Sequence, residues 1–156
     1  AIYGKGGVGK STLAANLAAA LAEMDKRVVL IGCDPKCDSA SLLHSGKQHP
    51  SIIELAASGS RTTLDSLVTT GYLGISSIEV GDPFQTGECA SQTVSRAFEL
   101  LHDLGAFGRL DPDLVLYDIP GDQGCAAFTT LAVNPSLRQA IVVTSSDVMS
   151  LYAANN

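Results

Sequence analysis

Apolar residues recur along this chain in two alternating rhythms. Leu13, Leu17, Ala20, Leu21 and Met24 keep helical spacing, which predicts a helix over residues 10–25. The unbroken run RVVLIG at 27–32 predicts a short strand buried on both faces. PSIIELAASG at 50–59 predicts a short helix ended by Gly59. ISSIEV at 75–80 predicts a weaker strand, followed by a Gly/Pro loop, GDPFQTGEC, at 81–89. SQTVSRAFELLHDLG at 91–105 is amphipathic, with Val94, Phe98 and Leu101 on one face and Gly105 as its stop. DLVLYDI at 113–119 and QAIVVTS at 139–145 predict two further buried strands, and AIY at 1–3 reads as the end of a first one. Strands alternate with helices, so the class is α/β with a mostly parallel sheet flanked by helices. No internal repeat, low-complexity tract or linker interrupts the pattern, and residues 1–156 read as a single domain. There is no initiator Met, AIY is short for a strand, and SLYAANN closes no element. The chain reads as an internal piece of a longer protein, truncated at both ends.

Composition narrows the classes. At 46% hydrophobic and 17% charged residues the chain is globular rather than disordered. A formal net charge of −6 argues against a nucleic-acid partner, because nonspecific binding relies on Lys and Arg to neutralise phosphates. No apolar run approaches the roughly 18–20 residues of a membrane span, and nothing reads as a signal peptide. A cytoplasmic location without a membrane partner is the expectation. The four cysteines, Cys33, Cys37, Cys89 and Cys125, form no C-x-x-C pair, so zinc-ribbon and thioredoxin signals are absent. Disulfides are not expected in a cytosolic chain.

The strongest chemical signal stands between the first strand and the first helix. Gly4, Lys5, Gly6, Gly7, Val8, Gly9, Lys10 and Ser11 match G-x-x-x-x-G-K-[ST] without a gap, and Thr12 follows. Glycines let backbone N–H groups curl around phosphates, and the following helix adds its positive end. Lys10 would neutralise the β- and γ-phosphates, and the Ser11 hydroxyl would ligate Mg²⁺. One lysine suffices for such a loop, so Lys5 needs a separate reason. KGGVGKST resembles the deviant Walker A loop of the family that includes nitrogenase iron protein, the chromosome-partition ATPases and the septum-site ATPases. That resemblance implies a P-loop NTPase fold, a homodimer, and a Lys5 that reaches across the interface to the partner's nucleotide.

Two more loops follow apolar strands. GCDPKCDS at 32–39 offers Asp34 and Asp38, and LYDIPGD at 116–122 offers Asp118 and Asp122. Loops at the C-terminal ends of parallel strands line the ligand crevice. Asp118 is the natural Walker B residue, holding Mg²⁺ directly or through water. Gly121 gives a hinge that a γ-phosphate can order or release. Asp34 and Asp122 are candidates for catalytic roles, Asp122 by orienting the attacking water, and Asp38 for nucleotide binding.

The cysteines alone leave alternatives open. Four thiolates would complete one [4Fe–4S] cluster within the chain, although Cys33 and Cys37 flank the candidate nucleotide loop. Alternatively, a two-fold dimer would bring two copies of Cys89 and two of Cys125 to one axis. The plain reading of any lone cysteine is a small buried hydrophobe.

GCDPK with the following DS, the mid-chain cysteine loop, YD--GD--C--F and a terminal YAANN together resemble the nitrogenase iron protein family. They also resemble its relatives, the electron-donor subunits of light-independent protochlorophyllide and chlorophyllide reductases. The resemblance runs along essentially the whole chain. It implies that Cys89 and Cys125 are the two ligands each subunit gives to a [4Fe–4S] cluster shared across a homodimer, with MgATP as the second cofactor. Cys33 and Cys37 are then structural. It further implies ATP-driven electron transfer to a catalytic nitrogenase-type component, supplied by a low-potential ferredoxin or flavodoxin. Two departures stand out. Ala126 and Ala127 replace glycines beside the second cysteine, and Gln92 stands where the docking arginine would be. The tetrapyrrole reductase donors remain the alternative, and a non-redox partition or positioning ATPase is the alternative from another class.

Overall fold

The run at 27–32 becomes the centre of a sheet because both of its faces are covered. In β2 (Val28–Gly32), Val28 and Leu30 point to one layer while Val29 and Ile31 point to the other. The computed structural model describes residues 1–59, 61–81, 90–121 and 137–155. Within them, β1 (Ile2–Tyr3), β2, β3 (Thr69–Thr70), β4 (Ser76–Glu79), β5 (Leu114–Asp118) and β6 (Ile141–Val142) form one sheet ordered β3-β4-β2-β5-β1-β6. All pairings are parallel except β3 with β4. The architecture is therefore the α/β, mostly parallel class that the alternation predicts.

Helices cover the two faces. α1 (Lys10–Glu23) lays Ala14, Ala15 and Ala18 against Ile2, Val28, Leu30 and Leu116. Small side chains on that stripe let the helix approach the sheet closely. On the other face α4 (Ala90–Asp103) sets Val94, Ala97 and Leu101 against Val29, Ile31, Ile78 and Tyr117. Phe98 meets the Tyr117 ring edge-on at 5.6 Å between centroids. A full capping box between Ser51 and Glu54 starts α2 (Ile52–Ala57), and Gly59, at φ 68°, lies just past its end.

Short elements escape the sequence pattern. They are α3 (Leu64–Leu67), β3, α5 (Ala106–Leu110), α6 (Val148–Asn155) and two 3-10 turns at Ser41–His44 and Tyr72–Gly74. One expectation is corrected outright. The run at 139–145 does not form a buried strand: β6 is two residues long and both are exposed, Ile141 at 39% and Val142 at 49%. It pairs with β1 alone among the described residues, and an edge strand buries less than a central one. Most of the predicted loop at 81–89 lies outside the described residues. Among those residues, no helix is long and apolar enough to cross a membrane.

Candidate functional site

Three loops meet at one edge of the sheet, because the strands that feed them are neighbours. Asp118, the last residue of β5, is in register with Ile2 of β1 and with Gly32 of β2. The loop after β1, the loop after β2 and the Asp118 carboxylate therefore share the C-terminal ends of adjacent parallel strands.

The first of these loops runs from Gly4 into α1. Gly9 caps the helix in the left-handed region, at φ 94°, and no side chain caps the first turn. Backbone N–H groups there remain available to an anion, and the helix end favours negative charge. Lys10 is buried, and its Nζ donates to the Lys5 carbonyl at 3.2 Å, across the mouth of the loop. Ser11 follows in the first turn and its hydroxyl faces Asp118. Gly6, Gly7 and Thr12 are exposed, and Val8 is half-buried.

The Lys5 side chain is engaged by a carboxylate. Its Nζ pairs with Asp147 Oδ1 at 3.3 Å, in the turn before α6. Asp147 also accepts from the Ser145 hydroxyl and from the Ser150 hydroxyl and backbone N–H. These bonds, those of Ser145 and Ser150 ahead of the one from Lys5, hold the Asp147 carboxyl far below the usual carboxylate range.

The interior side is dominated by carboxylates. Asp118 is 1% exposed, and neither of its oxygens has a partner in hydrogen-bonding geometry among the described residues. Burial pushes its pKa up, while the Ser11 and Ser39 hydroxyls and the Lys10 charge pull it back. Glu79 at the end of β4 is also buried. Its Oε1 accepts from the Ala40 N–H at 3.0 Å, and its Oε2 has no partner among the described residues. Burial raises the Glu79 carboxyl to about 7, helped by the charges of Asp118, Asp38 and Asp34 and opposed by the Ala40 N–H. Sequence reading missed this residue. Its only signal was an acid between two apolar residues, Ile78 and Val80, at a strand end.

Asp34 and Asp38 lie half-buried in the loop after β2. Asp34 Oδ1 accepts from the Lys36 N–H at 3.0 Å, a local turn that fixes the loop. Cys33 is buried in the core, and its N–H donates to the Asp118 carbonyl at 2.9 Å. Cys37 is half-buried, and burial raises its thiol to about 11, where it stays protonated and unreactive. Gly121 presses its backbone onto the phosphate-binding loop. A methyl group on it would sit 2.2 Å from the Gly6 nitrogen and 2.7 Å from the Gly4 carbonyl oxygen. Asp122, Cys89, Gln92 and Cys125 lie outside the residues whose side chains are described.

The donor set suits a cation-bound nucleotide. Uncapped N–H groups and a buried lysine are groups that would suit phosphates, and Ser11, Asp118, Asp34 and Asp38 carry hard oxygen donors of the kind Mg²⁺ takes. The orphaned Asp118 oxygens are what a cation or its water would satisfy.

Comparison with known proteins agrees with this chemistry. Residues 1–156 match the family described as 4Fe-4S iron sulfur cluster binding proteins, NifH/frxC family. The chain is 42% identical to the nitrogenase iron protein of Methanospirillum hungatei JF-1, covering 100% of this chain and 55% of that one. It is 40% identical to the nitrogenase iron protein of Methanococcus voltae, covering 99% of this chain and 56% of that one. The chain thus spans about half the length of these relatives. Among solved structures, the septum site-determining protein MinD complexed with Mg-ADP from Pyrococcus horikoshii superposes with a TM-score of 0.68 at 21% identity, over 97% of this chain and 60% of that one. That likeness concerns the fold.

Proposed function

The chain belongs to the NifH/frxC family of 4Fe-4S iron sulfur cluster binding proteins, and from that premise we propose that it is the nucleotide-binding part of an ATP-driven electron donor of the nitrogenase iron protein type. The observation that carries the reading is the pairing of a complete phosphate-binding loop with an orphaned, buried Asp118 in register beside it. Lys10 and the N–H groups at the start of α1 hold the phosphates. Ser11 and Asp118 hold Mg²⁺, with Asp34 and Asp38 at its margin and Asp122 orienting the attacking water.

Lys5 serves the partner subunit's nucleotide in a homodimer. Its contact with Asp147 is exposed and cheap to exchange for a phosphate. Cys89 and Cys125 from each of two subunits supply four thiolates, the donor set of a [4Fe–4S] cluster. That cluster, when bound, supplies a one-electron centre. Gly121 touches the phosphate-binding loop, and the same segment continues to Asp122 and Cys125. Movement of Gly6 on nucleotide binding would be felt along it. The electron acceptor is a catalytic nitrogenase-type component, and the source is a low-potential ferredoxin or flavodoxin.

The test is iron, sulfide and oligomeric state of the anaerobically purified full-length protein. About four irons per dimer are expected, lost in Cys89→Ser and Cys125→Ser but kept in Cys33→Ser and Cys37→Ser. An iron-free protein that hydrolyses ATP would move the chain to the non-redox positioning class. Iron retained by a monomer, and lost in the Cys33 or Cys37 variants, would favour a cluster within one chain.

A further inference from the structure

Three adjacent strand ends carry a row of residues: Glu79 on β4, Gly32 on β2 and Asp118 on β5. Gly32 is in register with both neighbours. In-register residues of parallel strands point to the same face, so the two carboxylates flank a position that has no side chain. Glu79 leans over it. A Cβ on Gly32 would lie 2.0 Å from Glu79 Oε2 and 2.7 Å from the Ser39 Cβ. Glu79 is 5% exposed and Asp118 1%. Among the described residues, Glu79 Oε2, the Ser39 hydroxyl and both Asp118 oxygens are buried without hydrogen-bond partners.

A structural role alone explains only half of this. Glu79 Oε1 clamps the loop carrying Asp34 and Asp38 by taking the Ala40 N–H. A glutamine would hold that N–H equally well. It would spare the chain a second buried acid beside Asp118, which is costly when one oxygen goes unpartnered.

We propose that Glu79 is a positioning residue for the nucleotide-bound cation, its Oε2 taking a cation-bound water over Gly32 while its Oε1 holds the 34–40 loop in place. The proposal rests on the phosphate-binding loop being a MgATP site. It adds a carboxylate that acts through water on the cation rather than directly.

The test measures ATP affinity of the full-length protein by calorimetry, with and without Mg²⁺. Glu79→Gln keeps the shape and the Ala40 bond, so its Mg²⁺-free affinity should match the wild type within about twofold. Its Mg²⁺-dependent gain should fall about 10-fold or more, the usual cost of losing an outer-shell partner. Amide exchange at Ala40 should be unchanged in Glu79→Gln and faster in Glu79→Ala. A Glu79→Gln protein that keeps the full Mg²⁺ gain overturns the proposal while leaving the nucleotide site standing. So does an Ala40 amide that exchanges as freely in the wild type as in Glu79→Ala. A wild type that binds ATP with no Mg²⁺ gain, or not at all, overturns the site reading and this proposal together.

Discussion

The two sides of the phosphate-binding loop are built on opposite terms. Inside, Lys10, Asp118 and Glu79 are buried, and three of their carboxylate oxygens have no hydrogen-bond partner among the described residues. Outside, Lys5 and Asp147 are about half exposed, and Asp147 is held by two serines as well as the lysine. Buried unpartnered charge is expensive, and it persists where a ligand offsets it. An exposed ion pair contributes little and breaks easily. The inner side thus carries the groups that the proposed cation and phosphates would satisfy. The outer side holds Lys5 only loosely, which suits the proposed exchange of Asp147 for a phosphate.

The comparison breaks most sharply at Lys10. Lys10→Ala removes the main counter-charge of the phosphates, and ATP binding by calorimetry should be lost. Retained micromolar affinity would sink the inner site. Next comes Gly121→Ala, which forces a methyl against the Gly6 nitrogen and Gly4 oxygen. Backbone on both sides cannot yield as a flexible side chain would. A destabilisation of roughly 1–3 kcal/mol is expected, with weakened nucleotide binding. A variant with wild-type melting and ATP affinity would show that the contact is slack.

A third prediction uses pH. Folding raises the Glu79 carboxyl to about 7 and shifts Asp118 in the same direction, both chiefly by burial. The folded protein therefore keeps protons that the unfolded chain has released. Stability falls as pH rises from the ordinary carboxylate range through about 7. For Glu79 the loss is on the order of 3 kcal/mol at most. Melting of the nucleotide-free protein should drop between pH 5 and pH 8, and Glu79→Gln should flatten that drop. A rise in stability over this range in the wild type would contradict the burial argument.

Much of this site could be read directly from the sequence, because its central motif is contiguous. Lys10, Ser11 and the glycines are consecutive, and Asp118 ends an apolar run of the kind that makes a buried parallel strand. Glu79 was hidden because its importance depends on register across three strands, which a strand of only four residues does not announce. Asp147 was hidden for a similar reason: it meets Lys5 across nearly the whole chain. β6 was misjudged because an apolar run looks the same at the centre of a sheet and at its edge. α3 and α6 were missed for want of length, the first being a single turn and the second having no long apolar stripe.

The smallest effect on the folded chain belongs to the outer side. Lys5→Gln should shift the melting temperature by less than about 2 °C, as for other exposed pairs. Lys5→Gln should nonetheless suppress ATP hydrolysis in the assembled protein. Mixed dimers of Lys5→Gln and wild-type subunits separate the roles. Hydrolysis lost at the site opposite the altered subunit fits a lysine acting across the interface. Loss at that subunit's own site contradicts it.

In the proposed function one segment serves two chemistries. It leaves β5 at Asp118, presses Gly121 onto the phosphate-binding loop, and reaches Cys125 soon afterwards. The most direct test is the reduction potential of the iron–sulfur centre in the anaerobic full-length protein, measured with and without MgATP. The account predicts a shift on nucleotide binding that disappears in Lys10→Ala. A centre whose potential is the same with and without MgATP, in a protein shown to bind the nucleotide, would contradict it.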